Sequence, residues 1–117
     1  MARRYKPIPE LKGPQALAVA VVEPSWTNFH VAYRVGSRHS LTAGAAGKAM
    51  SLRPGGDGWV TSAGELEAGA SGVAAPVRGV PGLRASVGVV SMEPLKAAEV
   101  GPQVVAAATR LADILKA

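Results

Sequence analysis

The order of elements legible in this sequence predicts an α+β domain, a mainly antiparallel sheet with helices packed on it. Three observations carry that prediction. Residues 29–35 (FHVAYRV) alternate apolar and polar, the period of a half-buried strand. Two apolar runs flank Val80-Pro81-Gly82, where proline fixes the first turn dihedral and glycine supplies the positive one of a type II turn, so the pair reads as a hairpin. Val104, Val105, Ala108, Leu111, Ala112 and Leu115 recur at helical spacing, opposite Gln103, Arg110, Asp113 and Lys116.

Taken in order, residues 1–15 form a basic, proline-rich arm carrying Arg3, Arg4, Lys6 and Lys12. Ala16–Val22 (ALAVAVV) reads as a buried strand bounded by Pro14 and Pro24. An apolar run behind basic residues also has the outline of a secretory signal. This one is short for that, and Pro7, Pro9 and Pro14 interrupt its approach. Residues 23–28 are turn chemistry, and Phe29–Val35 is expected to return antiparallel to the first strand. Gly36–Ser40 turns the chain. Thr42 is placed as the N-cap of a helix running to about Leu52. That helix contains Gly44 and Gly47, each costing about 1 kcal/mol against alanine, so a sheet or a ligand is expected to approach its backbone closely.

Arg53–Gly58 is a loop, Trp59–Ser62 a brief strand and Ala63–Gly69 an acidic loop. The hairpin spans Ala70–Arg78 and Leu83–Ser91. Pro102 is expected in the first turn of the last helix, with a preceding turn from Leu95 joined to it by a kink at Gly101-Pro102. No internal repeat or long linker divides the chain, so residues 16–117 read as one domain.

Composition narrows the function classes. The chain has 117 residues, 48% of them apolar but only 4% aromatic, so its core must be built from Ala, Val and Leu. Modest stability or help from a partner subunit is therefore expected. Cysteine is absent, which excludes disulfides and thiolate metal sites and fits a reducing compartment. The net charge of +5 is not gathered into a helical stripe, so direct nucleic-acid binding is not expected. No run reaches the ~20 apolar residues of a membrane span, and a soluble, cytoplasmic protein with no membrane partner is the expectation.

Catalytic chemistry is sought and mostly not found. His30 and His39 stand at no metal-ligand spacing. Glu65 and Glu67 are a near pair suited in principle to acid and base work, but on a loop beside glycine they read as solvated or turn-stabilising. Ser62, Ser71 and Ser91 lack a histidine base or an elbow sequence. Gly44-Ala45-Ala46-Gly47-Lys48 resembles a phosphate loop, but it has too few residues between its glycines and Ala49 follows the lysine. What survives is general: backbone N–H groups at the start of the short helix attract an anion such as a carboxylate, unless the small residues serve only to pack on the sheet. No metal and no cofactor is implied, and no enzyme activity is assigned.

Three stretches together resemble the C-terminal effector-binding domain of IclR-family transcription regulators. They are RVGSRHSLTAGAAGKAM (34–50), GWVTSAGELEAGASGVAAPVR (58–78) leading into the hairpin, and VVAAATRLADIL (104–115), in the family's order. The resemblance implies a GAF-like α+β fold, a small organic or aromatic acid as effector, and homo-oligomer formation. In that family a ligand shifts the balance between two states and so alters DNA binding by a separate helix-turn-helix. Residues 1–15 are too few to form one, so the resemblance implies a sensing domain that does not itself bind DNA and works with a separate DNA-binding protein. The alternative it leaves open is a ligand-free dimerisation or protein-interaction module. The family's helices between the lysine motif and the Gly-Tyr segment are replaced by the short Ser51–Gly58. Carried over position by position, the backbone donors fall on Ala45 and Ala46. The pocket aspartate of some members falls on Ser62, a cysteine on Gly72, and two serines on Val89 and Ser91. Ligand-binding residues are thus expected at Ala45, Ala46, Ser62, Gly72, Val89 and Ser91, with few polar groups to fix a ligand.

Overall fold

The computed structural model describes residues 15–22, 35–65 and 68–116. Its elements run β1 (Gln15–Leu17), β2 (Arg38–Ser40), α1 (Ala45–Ala49), β3 (Val60–Ala63), β4 (Ser71–Val77), β5 (Ala85–Ser91) and α2 (Ala97–Lys116). This is the α+β, antiparallel arrangement expected. Among the described residues the strands form two sheets, β1-β2 and β3-β4-β5, with every pairing antiparallel.

The three-stranded sheet is the middle layer of a sandwich. Side chains on a strand alternate between faces, and on β4 both faces are covered. Val73, Ala75 and Val77 meet Val104, Ala108 and Ala112 of α2, while Ala74 meets Ala45 and Ala49 of α1. The buried core therefore consists of alanine and valine, and Val73 is its largest fully buried side chain. No leucine is among the buried core residues: Leu17, Leu83, Leu111 and Leu115 are exposed, and Leu95 packs partly buried against the α2 core.

The hairpin forms as its sequence predicts. Leu83 N–H donates to the Val80 carbonyl at 3.1 Å, and Gly82 has φ of 75°, as the third position of a type II turn requires. The loop Arg53–Gly58 and the brief strand after it also fall where expected, with β3 shifted by one residue.

Four expectations need correction. The strand placed at Ala16–Val22 is only Gln15–Leu17. Its ladder ends where Ala18 N–H donates to Ser37 O (2.9 Å) and Gly36 N–H donates to Ala18 O (2.8 Å). Gly36, at φ 91°, turns the chain away there, leaving Val19 77% and Val22 94% exposed. Its partner is Arg38–Ser40, read from sequence as part of a turn; residues 29–34 of the expected second strand lie outside the described residues. Thr42 is not the N-cap. Gly44 is, at φ 81°, and α1 is a single turn and a half, continued to Leu52 only by tight turns. Thr42 is drawn instead into a turn with the Ser40 hydroxyl. The last helix begins at Ala97, so Pro102 lies inside it rather than in its first turn. It sits one turn in, where the cost is one lost bond to the Ala98 carbonyl.

Candidate functional site

The corner where α1 meets β3 and β4 gathers the polar chemistry of the described residues. Gly44 adopts a conformation that side-chain-bearing residues rarely take, and this aims its N–H outward. The Glu65 carboxylate accepts that N–H at 3.1 Å through one oxygen, and the Lys48 ammonium at 2.7 Å through the other. Lys48 Nζ also donates to the Thr61 carbonyl at 2.9 Å. The loop after β3 is thereby tied to the start of α1. The Lys48 hydrogen bond, followed by the Gly44 amide, holds the Glu65 carboxyl below its usual value. The ion pair is partly open to solvent, each side chain being about a third exposed.

Beneath this tie the layers are in tight contact. Ser62 pairs with Gly72 across β3 and β4. A Cβ on Gly72 would lie 2.7 Å from Ser62 Oγ and 3.2 Å from the Ala45 Cβ. Glycine is therefore what lets α1 sit on the sheet here. At Gly47 a Cβ would come within 2.9 Å of the Ser40 carbonyl. The close neighbour expected at the glycines of α1 is thus, at Gly47, the backbone at the end of β2, Ser40 and Leu41. Across the corner, Ser86 Oγ donates to the Ala46 carbonyl at 2.7 Å and ties β5 to α1.

The six residues marked in the sequence separate into two groups. Ala45, Ala46, Ser62 and Gly72 come together at the α1 face of the sheet. Val89 and Ser91 do not join them. Val89 pairs with Val73 and Ser91 with Ser71, which puts both side chains on the α2 face. Val89 is 42% exposed, and Ser91 Oγ accepts the Glu93 N–H at 3.0 Å. Val90, which pairs with Gly72, lies on the α1 face, as do Gly88 and Ser86.

Sequence reasoning missed the pairing of Lys48 with Glu65. Each had been noticed separately, the lysine in a rejected phosphate-loop outline and the glutamate as half of a carboxylate pair. No local spacing connects residues 17 positions apart on different elements. Glu67, the other half of that pair, lies outside the described residues. His39 is half-buried, and burial lowers its pKa from 6.5. Among the described residues no group of three His, Cys, Asp or Glu side chains could hold a metal, and no helix is long and apolar enough to cross a membrane.

No protein-family model and no curated protein matches the sequence. Solved structures do match the fold. The C-terminal domain of a Vibrio cholerae protein described as a transcriptional regulator aligns over 86% of this chain and 78% of its own, with a TM-score of 0.58 and 21% identity. An IclR transcriptional regulator from Alicyclobacillus acidocaldarius aligns over 86% of this chain with a TM-score of 0.63 and 18% identity. The Agobacterium tumefaciens repressor BlcR aligns over 72% with a TM-score of 0.56 and 17% identity. This chain spans 56% and 51% of those last two proteins. At such identities the likeness is one of fold, the GAF-like α+β fold of the domain that the sequence resembles.

Proposed function

We propose that a chain with this regulator-domain fold is a non-enzymatic effector-responsive module, sensing a small organic or aromatic acid at the α1 face of its sheet. The observation that carries the reading is the grip on Glu65. An amide N–H and an ammonium hold a carboxylate at the corner where Ala45, Ala46, Ser62 and Gly72 meet. An effector acid takes the place of Glu65 there, and the loop after β3 is released from α1. The ligand thereby favours one of two arrangements, which is all that an effector needs to do. Contact with DNA belongs to a separate element or protein, not to residues 16–117.

Thermal-shift screening with small aliphatic and aromatic carboxylates tests the reading. A ligand at a hundred times its dissociation constant adds about 2.7 kcal/mol, a rise of roughly 10 °C for a domain of this size. Glu65→Gln should tighten the binding of such an acid, because its internal competitor has lost its charge. A broad panel that leaves folded wild type and Glu65→Gln unmoved would refute sensing.

One observation favours the second reading, a ligand-free interaction module. The contact at Gly72 is already close, with Ser62 Oγ and Ala45 Cβ filling the space between α1 and the sheet. Under that reading wild type and Glu65→Gln are alike indifferent to acids.

A further inference from the structure

Three arginines meet at the turn that follows α1. Arg78 comes directly after β4 and Arg84 directly before β5, one step beyond the bridge from Val77 to Ala85. Continuing that register sets Arg78 opposite Arg84, on the α1 face of the sheet. Both side chains reach the same turn. Arg78 Nη2 donates to the Leu52 carbonyl at 2.7 Å, and Arg84 Nη2 donates to the Ser51 hydroxyl at 3.1 Å. Arg53 is the next residue of that turn, and all three arginines are exposed. Lys116 brings another positive charge close by, since a Cβ on Gly79, next to Arg78, would stand 3.1 Å from its Nζ.

Like charges directly opposite one another on a sheet are destabilising. The acceptors that hold Arg78 and Arg84 are a carbonyl and a hydroxyl, both neutral. Among the described residues no carboxylate lies within ion-pair distance of Arg53, Arg78 or Arg84. The end of α1 supplies little negative potential, because that helix has only five residues. A guanidinium carries five N–H donors in a fixed fork. Most of those donors on Arg78 and Arg84 remain open to a group that sits between them.

We infer that this cluster is an oxyanion site for a doubly charged phosphoryl group, either inorganic phosphate or a phosphomonoester. Guanidinium groups bind phosphate oxygens in bidentate fashion, and charge assistance strengthens each bond. A dianion offsets both members of the opposed pair, whereas a lone carboxylate offsets one and leaves the other beside Arg53. The cluster lies at the end of α1, and the grip on Glu65 involves its start. The inference is therefore independent of the acid-sensing reading.

Calorimetric titration of the whole chain with inorganic phosphate and with phenyl phosphate, above neutral pH and at fixed ionic strength, tests it. At least one of the two should saturate at one equivalent per chain. The tighter of them tells the free anion from the monoester. Arg53→Gln and Arg84→Gln should each weaken that binding roughly tenfold. Both leave the Arg78 bond to the end of α1 in place, and circular dichroism confirms that they are folded. Arg84→Lys keeps the charge but loses the fork, so it should recover only part of the affinity. Arg110→Gln, on α2 across the sheet, should change nothing. Glu65→Gln should leave phosphate binding intact, and Arg84→Gln should leave any response to carboxylates intact, so the two readings fail separately. No phosphate binding, or binding indifferent to Arg53→Gln and Arg84→Gln, overturns the inference. So does duplex DNA that binds at the same ionic strength while neither phosphate does.

Discussion

Replacing Gly101 by alanine sets two effects against each other in one residue. Gly101 lies inside α2, where glycine disfavours the helix by about 1 kcal/mol relative to alanine. On propensity alone Gly101→Ala would stabilise the protein. However, Gly101 is fully buried beneath the Trp59 indole, and a Cβ there would drive into the fused-ring atoms, well inside contact distance. Those atoms are the centre of a rigid plane, so the whole ring must move, and Trp59 is packed against the α2 core. Overpacking of this kind costs about 1–3 kcal/mol. Its upper half applies here, because the clash is with the body of the ring rather than with a flexible tip. After the propensity gain, Gly101→Ala should be net destabilising by about 1–2 kcal/mol, a fall in Tm of roughly 4–8 °C. Urea denaturation followed by far-ultraviolet circular dichroism measures it. The same substitution in a Trp59→Leu background should reverse sign, since the obstruction is gone and the propensity remains. A Gly101→Ala variant more stable than wild type would refute the assignment of Gly101 as the seat of the indole.

Other outcomes follow from the same geometry. Gly72→Ala should destabilise by about 1–3 kcal/mol, because its Cβ would fall 2.7 Å from Ser62 Oγ; pairing it with Ser62→Gly should recover much of the loss in a denaturation double-mutant cycle. Glu65 has a depressed folded pKa, so the stability it contributes is present above its unfolded value of 4.5 and is lost as pH falls through the folded value. Glu65→Gln should therefore flatten the acid limb of a stability–pH curve while costing less than about 1 kcal/mol near neutrality, since the pair is partly solvated. His39 is a base whose folded pKa lies below 6.5, so the unfolded chain binds the proton more readily and stability declines as pH falls from 6.5 through the folded value. His39→Gln should remove that slope, measured by denaturation at closely spaced pH values. Pro102→Ala should raise Tm, because it returns an N–H that can reach the Ala98 carbonyl within α2.

What the sequence made legible were features that act locally. The Val80-Pro81-Gly82 turn could be read because a single dihedral, the positive φ of Gly82, settles its type. The last helix was legible from its apolar period, although its start was not. Pro102 looks like a first-turn residue in sequence, while in the fold Ala97 and Val100 pack against the core and Gly101 lies under Trp59, which carries the helix back to Ala97. The strand at Ala16–Val22 was overextended because an apolar run shows what can be buried, not whether a partner is present to bury it. Candidate site residues suffered most from a matter of parity. Carried from a resemblance, Val89 and Ser91 seemed to belong with Ser62 and Gly72. Strand register places them on the other face, and one residue along the strand decides the matter.

The glycines of this chain hold one physical idea together. Gly47 lies on the Ser40–Leu41 backbone, Gly72 against Ser62 and Ala45, Gly88 against Ala74, and Gly101 under Trp59. At Gly72 and Gly101 a helix lies close against the sheet or the flanking Trp59, while at Gly88 the neighbour is its paired residue Ala74 in β4, and the buried core is alanine and valine. A core of that kind gains little from burial per residue, because the hydrophobic term scales with apolar area removed from water. Leu17, Leu83, Ile114 and Leu115 remain on the surface, while Trp59 and Leu95 pack partly buried against the α2 core. A chain built this way buries a small core and leaves much apolar surface in water. The hydrogen bond from Ser86 Oγ to the Ala46 carbonyl ties β5 to the helix over the α1 corner.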